Sequence, residues 1–216
     1  MGQRFQTAFI LPPVFMNQDN PNNRKGKVLI FHNQWLYGFM ALKINLAIMK
    51  RLNRAIKTRK ENGSFSESKQ DYINHFLERD LKNIVDFCAL ENLHNERPFS
   101  ISGDYEFKDY AELGRDLSRQ DNNNGFFICE ITKDLKLKYT FISGFEDEKD
   151  KILKVKNPKQ YLDLFYADKM KEISKKDKLF FQKLINGFLK FEGMNLFQVK
   201  QIKDQINKNK PRYAHN

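Results

Sequence analysis

The apolar positions of the chain fall into runs of strand type and runs of helix type that take turns. Residues 4 to 11, RFQTAFIL, and 27 to 32, KVLIFH, are short and rich in β-branched and aromatic side chains. The stretch between them is broken by Pro, Asn and Gly, which predicts a hairpin with a polar loop at about residues 17 to 26. From Gln34 to Lys60 the period becomes helical. Ala41, Ile44, Ile48, Leu52 and Ala55 share one face, and Leu42, Leu46, Met49 and Ile56 widen it. Asn62-Gly63-Ser64 then supplies a residue suited to positive φ, a helix stop. Ser64 with Glu67 has the spacing of a capping box, and Tyr72, Ile73, Phe76, Leu77, Leu81, Ile84, Val85 and Cys88 carry a second helical stripe to Leu90.

The later part repeats the order. FSISGDYEF and KDYAELGRDLSR, residues 99 to 119, read as a short strand and a short helix. GFFICEI and KLKYTFISG form a hairpin across TKDL, with Leu137, Tyr139 and Phe141 expected on a buried face and Lys136, Lys138 and Thr140 on a wet one. KILKV at 151 to 155 is a further strand candidate. Asn157-Pro158 opens a helix, residues 175 to 191 another, and Leu196, Val199, Ile202 and Ile206 mark a last amphipathic one. Strand runs followed by helix runs predict an α+β fold, a mostly antiparallel sheet or sheets covered by helices, with a four-layer αββα sandwich as one form of it. One domain over residues 1–208 and a polar tail at 209–216 are expected for a chain of 216 residues.

Composition changes this picture in two places. Apolar residues at 40% and 20 Phe give enough core material to argue against disorder. The net charge of +11, from 38 basic and 27 acidic residues, favours anionic partners, although a solvated Lys-rich exterior is the simpler reading because the cations are spread along the chain. Arg54, Lys57, Arg59 and Lys60 crowd one helix end, where they also complement the helix dipole. Cys88 and Cys129 have no ligand spacing and read as buried thiols. The most apolar long stretch, WLYGFMALKINLAIM, is too short for a membrane span and contains Lys43, and no signal peptide is apparent. A cytoplasmic location without membrane partners is the expectation.

Three polar motifs carry the candidate chemistry. In GQRFQ, alternation sends Arg4 and Gln6 to one side of the strand and Phe5 and Thr7 to the other. In FHNQWLYG, His32 and Gln34 lie two apart at a strand end, while Trp35 and Tyr37 suit anchoring of the following helix. In RQDNNNGFF, Asp121 to Asn124 are turn formers first, with Asp121 and Asn122 as polar contributors to a pocket. His32, His75, His94 and His215 show no metal-ligand spacing, and no phosphate loop or nucleophile elbow occurs, so no cofactor or metal is assigned.

MGQRFQ, HNQWLYG and DNNNG, in this order, resemble a family of small proteins that begin Met-Gly-Gln-Arg-His-Gln. Those proteins carry His-His-Gln-Trp-Leu-Tyr-Gly before the first helix and Asp-Asn-Asn-Asn-Gly before a late hairpin. The resemblance implies no activity. Phe5 and Asn33 stand where that family has His, which weakens any reading that needs those imidazoles. The element order is also similar to that of the N-terminal nucleophile hydrolases, but removal of Met1 would expose Gly2, which has no nucleophile.

These observations lead to three expectations. The first is a binding protein, with a phage origin considered, whose pocket of Arg4, Gln6, His32, Gln34, Asp121 and Asn122 takes a small anionic or nucleotide-like ligand. His32 is the acid–base candidate if that ligand is turned over. The second is nucleic-acid or nucleoprotein binding through a basic surface made of the helix end at residues 50 to 60 and Lys-rich strands. The third is a structural or assembly role beside a partner protein.

Overall fold

Alternation along the first strand sorts its side chains into two cores. In the computed structural model, which describes residues 5–15, 24–33, 38–65, 70–93, 99–120, 125–143, 157–166 and 173–209, Phe5, Phe9 and Leu11 enter one core. Ala8 and Ile10 enter the other. Both faces of this strand are therefore dry, and every such Phe or Ile stabilises the fold by about 1.5–3 kcal/mol relative to an exposed one.

The strand, β1 (Phe5–Phe15), pairs antiparallel with β2 (Arg24–Asn33) and parallel with β4 (Gly125–Ile131). Around them lie β3 (Ser100–Phe107), β5 (Leu137–Ser143) and the two-residue β6 (Glu192–Gly193), giving one six-stranded sheet in the order β3-β2-β1-β4-β5-β6. The β1–β4 and β5–β6 pairs are parallel and the others antiparallel. The fold is α+β, as expected.

Helices cover both faces. The larger core packs α1 (Gly38–Glu61), α2 (Gln70–Leu93), α4 (Pro158–Tyr166) and α5 (Lys175–Phe188) on one side. The smaller core packs α3 (Tyr110–Ser118) and α6 (Leu196–Asn209) on the other. A four-layer αββα sandwich needs a second sheet, and the described strands form only one. Because its second face is closed by α3 and α6, the described layers number three.

The first prolines are not a strand end. β1 runs through Pro12 and Pro13 to Phe15, with a register shift between Leu11 and Val14. β4 accompanies β1 only from Gln6 to Ile10, so beyond that point β1 has a described strand on one side, and a missing N–H on the other is tolerated. Asn74 of α2, itself buried, donates from Nδ2 to the Pro12 carbonyl at 2.9 Å and closes the irregularity.

Local signals act as their chemistry requires. The described part of α1 begins at Gly38, and Gln34 to Tyr37, where the helical pattern is expected to start, lie outside the described residues. The helix ends where Gly63, with φ of 72°, donates to Lys60 O at 3.1 Å, and Ser64 donates to Arg59 O at 2.9 Å. The β4–β5 hairpin turns through Leu135, and Leu137, Tyr139 and Phe141 are buried as predicted. Thr140 is buried as well, because α6 and its core cover the face that the pattern assigned to water. Phe141 stacks on Tyr161 of α4 with ring centroids 5.0 Å apart and meets Phe188 of α5 at 5.4 Å, which fixes both helices to the hairpin. Cys88 and Cys129 are buried thiols that form no disulfide with each other. No helix among the described residues is long and apolar enough to cross a membrane. The capping-box partner Glu67, the KILKV strand and the tail beyond Asn209 lie outside the described residues.

Candidate functional site

Three strand ends that adjoin the polar motifs lie at one end of the sheet. β1 starts at Phe5, β2 ends at Asn33 opposite it, and β4 starts at Gly125 beside them, with Gln6 in register with both His32 and Phe126. The segments 1–4, 34–37 and 121–124 therefore attach to the same sheet end. Of the expected pocket residues, Gln6 and His32 are described. Arg4, Gln34, Asp121 and Asn122 lie outside the described residues.

Gln6 and His32, directly opposite on antiparallel strands, project to the same face, the one that carries Ala8, Ile10 and Ile30 and is closed by α3 and α6. His32 is half-buried, and Gln6 is 1% exposed. A glutamine so deep needs partners for its amide. Its Nε2 donates to Gln120 Oε1 at 3.5 Å, Gln120 Nε2 donates to the Tyr105 hydroxyl at 3.1 Å, and that hydroxyl donates to Ser102 O at 3.4 Å. All donors in this chain run one way, from β1 through the end of α3 to β3.

The direction leaves an acceptor over. Gln6 Oε1 is buried and has no hydrogen-bond partner among the described residues. A buried carbonyl oxygen in that state costs about 1–3 kcal/mol, which a donor from outside would recover. The chemistry this oxygen asks for is an N–H or O–H group. An anion would be repelled at that point.

Gln120 and Tyr105 belong to this cluster, although the sequence patterns did not single them out. Gln120 stands within RQDNNNGFF, one residue before the acid, and its role depends on the end of α3 turning it over the sheet. There, its N–H donates to Leu117 O at 3.1 Å. Tyr105 alternates along β3 with nothing in its sequence neighbourhood to distinguish it.

At the other end of the same face, the Tyr110 hydroxyl donates to Glu130 Oε1. Burial, and then the nearby Glu130 charge, holds the Tyr110 phenol far above its ordinary range, so it stays a neutral donor. This pair joins α3 to β4. It is a brace rather than part of the sheet-end cluster.

A second candidate lies on the outer surface of the α1–α2 pair, within the basic stretch noted at residues 50 to 60. A groove of about 570 Å3 is lined there by Arg51, Arg54, Arg59, Thr58, Asn83 and Phe87, among others. Asp80 hydrogen-bonds Arg59 at 2.5 and 2.8 Å and raises its pKa further, keeping the guanidinium charged and fixed. Among the described residues no group of His, Cys, Asp and Glu is arranged to hold a metal ion. No protein-family model, no curated protein and no solved structure matches the chain.

Proposed function

We propose that the sheet end formed by β1, β2 and β4 binds a small nucleotide-like molecule that donates an N–H or O–H group to Gln6 Oε1. The observation that carries this reading is the buried Gln6 oxygen, without a partner among the described residues, at the sheet end where β1 and β4 begin and β2 finishes. A nucleobase amino or imino group, or a ribose hydroxyl, has the required donor. The phosphate of such a ligand would then fall to residues of the adjoining motifs, whose guanidinium groups are Arg4 and Arg119. His32, across the strand pair from Gln6, is the group available for proton transfer if the ligand reacts.

The test is a thermal-shift and calorimetric screen of nucleosides, nucleotides and small anions against the whole chain, repeated with Gln6→Leu, His32→Ala and Arg4→Ala. A ligand that raises Tm in the parent and fails to do so in folded Gln6→Leu supports the reading. Capture unchanged by Gln6→Leu and by the Arg4→Ala, His32→Ala pair rejects it. Variants that lose only thermal stability, with no ligand found, would assign the motifs to bracing the fold.

A further inference from the structure

The α1–α2 groove is separate from the sheet end, on the helix layer's outer surface, and its volume of about 570 Å3 falls in the range of small-ligand clefts, roughly 300–1,000 Å3. Its three guanidinium groups are not equivalent. Arg51 donates to Glu91 at 2.9 and 3.0 Å and sits 4.2 Å from the Phe87 ring centroid. Arg59 is held by Asp80 and sits 4.6 Å from the Phe76 centroid. These two are pinned, and each has a carboxylate that answers its charge.

Arg54 differs. It stands on α1 between them, exposed, and makes no hydrogen bond or ion pair with any described residue. Phe87, on α2 in the same lining, stays 46% exposed although the Arg51 guanidinium lies over its ring. Thr58 and Asn83 add uncharged donors and acceptors to the same lining. A free guanidinium, an exposed aromatic ring and neutral polar groups in one open groove are what a phosphate followed by an unpaired base requires. A lone small anion would use only Arg54. The exposed Lys50, and Lys57 in a loose exposed pair with Glu61 at 3.7 Å, carry positive charge along α1 on either side of Arg54, which fits a chain of phosphates better.

We infer that the α1–α2 groove binds single-stranded nucleic acid, with a backbone phosphate on Arg54 and a base against Phe87. The inference is independent of the sheet-end reading, since no residue is shared. It is tested by fluorescence anisotropy of a short labelled oligouridylate with the full chain, over a salt series. Binding weakens steeply as salt rises, and Arg54→Gln and Phe87→Leu each weaken it by about tenfold. Lys183→Gln, which removes the same charge from the exposed face of α5, changes it by less than about twofold. Leu in place of Phe87 keeps an apolar side chain while removing the ring, and matched melting curves check the fold. Absence of binding at low salt, an equal loss in Lys183→Gln, or a duplex that competes as well as the single strand overturns the inference. Competition by free uridine monophosphate at the same nucleotide concentration overturns the chain form of the ligand.

Discussion

Thr7 Oγ1 donates to Asn45 Oδ1 over 2.8 Å in a place where neither residue has any solvent exposure. Asn45 passes the interaction on, donating from Nδ2 to Ala41 O at 2.8 Å, so a central strand and the first helix share a satisfied polar contact inside an otherwise apolar layer. Removing one partner is worse than removing both. Asn45→Ala strands the Thr7 hydroxyl and opens a cavity, and is expected to cost about 2–4 kcal/mol. Thr7→Val combined with Asn45→Leu, which leaves no polar group behind, should recover more than half of that in urea unfolding. A double substitution as damaging as Asn45→Ala alone would show that the hydrogen bond itself, not the stranded group, carries the energy.

The packing of α3 on α6 depends on Gly114. A methyl group there would lie 2.6 Å from the backbone oxygen of Ile202, and backbone cannot swing aside as a side-chain tip can. Gly114→Ala is expected to lower stability by about 1–3 kcal/mol. Gly193→Ala, where nothing lies within 4 Å, serves as the neutral comparison in the same melting experiment.

Lys27, Glu78 and Lys82 form a half-buried network between β2 and α2, with Lys27 to Glu78 at 2.8 Å, Lys82 to Glu78 at 2.8 Å and Lys27 to Asp104 at 3.2 Å. Burial opposes the charge on Glu78, but hydrogen bonds from Lys27 and Lys82 outweigh it and leave the carboxyl below its ordinary value of 4.5. A carboxylate lowered in the folded state stabilises above its unfolded pKa and loses that contribution as pH falls through the folded one. The Lys27 ammonium is raised above 10.5, against burial, by Glu78 and Asp104, so its contribution is present below 10.5 and is lost as pH rises through the folded value. Glu78→Gln should therefore flatten stability against pH on the acid side below about 4.5, by no more than about 1 kcal/mol because the network is partly solvated. Equal acid limbs in parent and variant would refute this.

Neither thiol should react in the folded protein. Burial pushes the Cys88 thiol up to about 11, with Arg51 offsetting part of the effect, and it raises Cys129 further. At pH 8 the thiolate fraction is small and access is blocked, so labelling by an aromatic disulfide reagent is expected to follow unfolding, with two thiols titrating only in denaturant. Rapid labelling of Cys88 under native conditions would contradict the burial of α2 against the sheet.

Much of the fold was legible because its periods are clear. The α1 stripe from Ala41 to Ile56 and the alternation at Leu137, Tyr139 and Phe141 reappear as buried faces. Two features were not legible, for the same reason. The persistence of β1 past Pro12 depends on how far β4 extends beside it, and the burial of Thr140 depends on α6, a helix more than fifty residues further on. Neither depends on the local sequence. At the candidate site, the convergence of strand ends follows from the order of motifs, whereas the unpartnered Gln6 oxygen follows from Gln120 and Tyr105, whose positions only tertiary packing sets.

The parallel seam between β1 and β4 also orders events in time. Gln6 and Phe126 are neighbours in space but roughly 120 residues apart in the chain, a separation a ribosome covers in on the order of ten seconds. Through that interval β1 can form its hairpin with β2, but its other edge remains without the strand that completes it. The central sheet therefore closes late, around a long loop whose entropy must be overcome at once, and fragments ending before Gly125 should gain little protection from proteases.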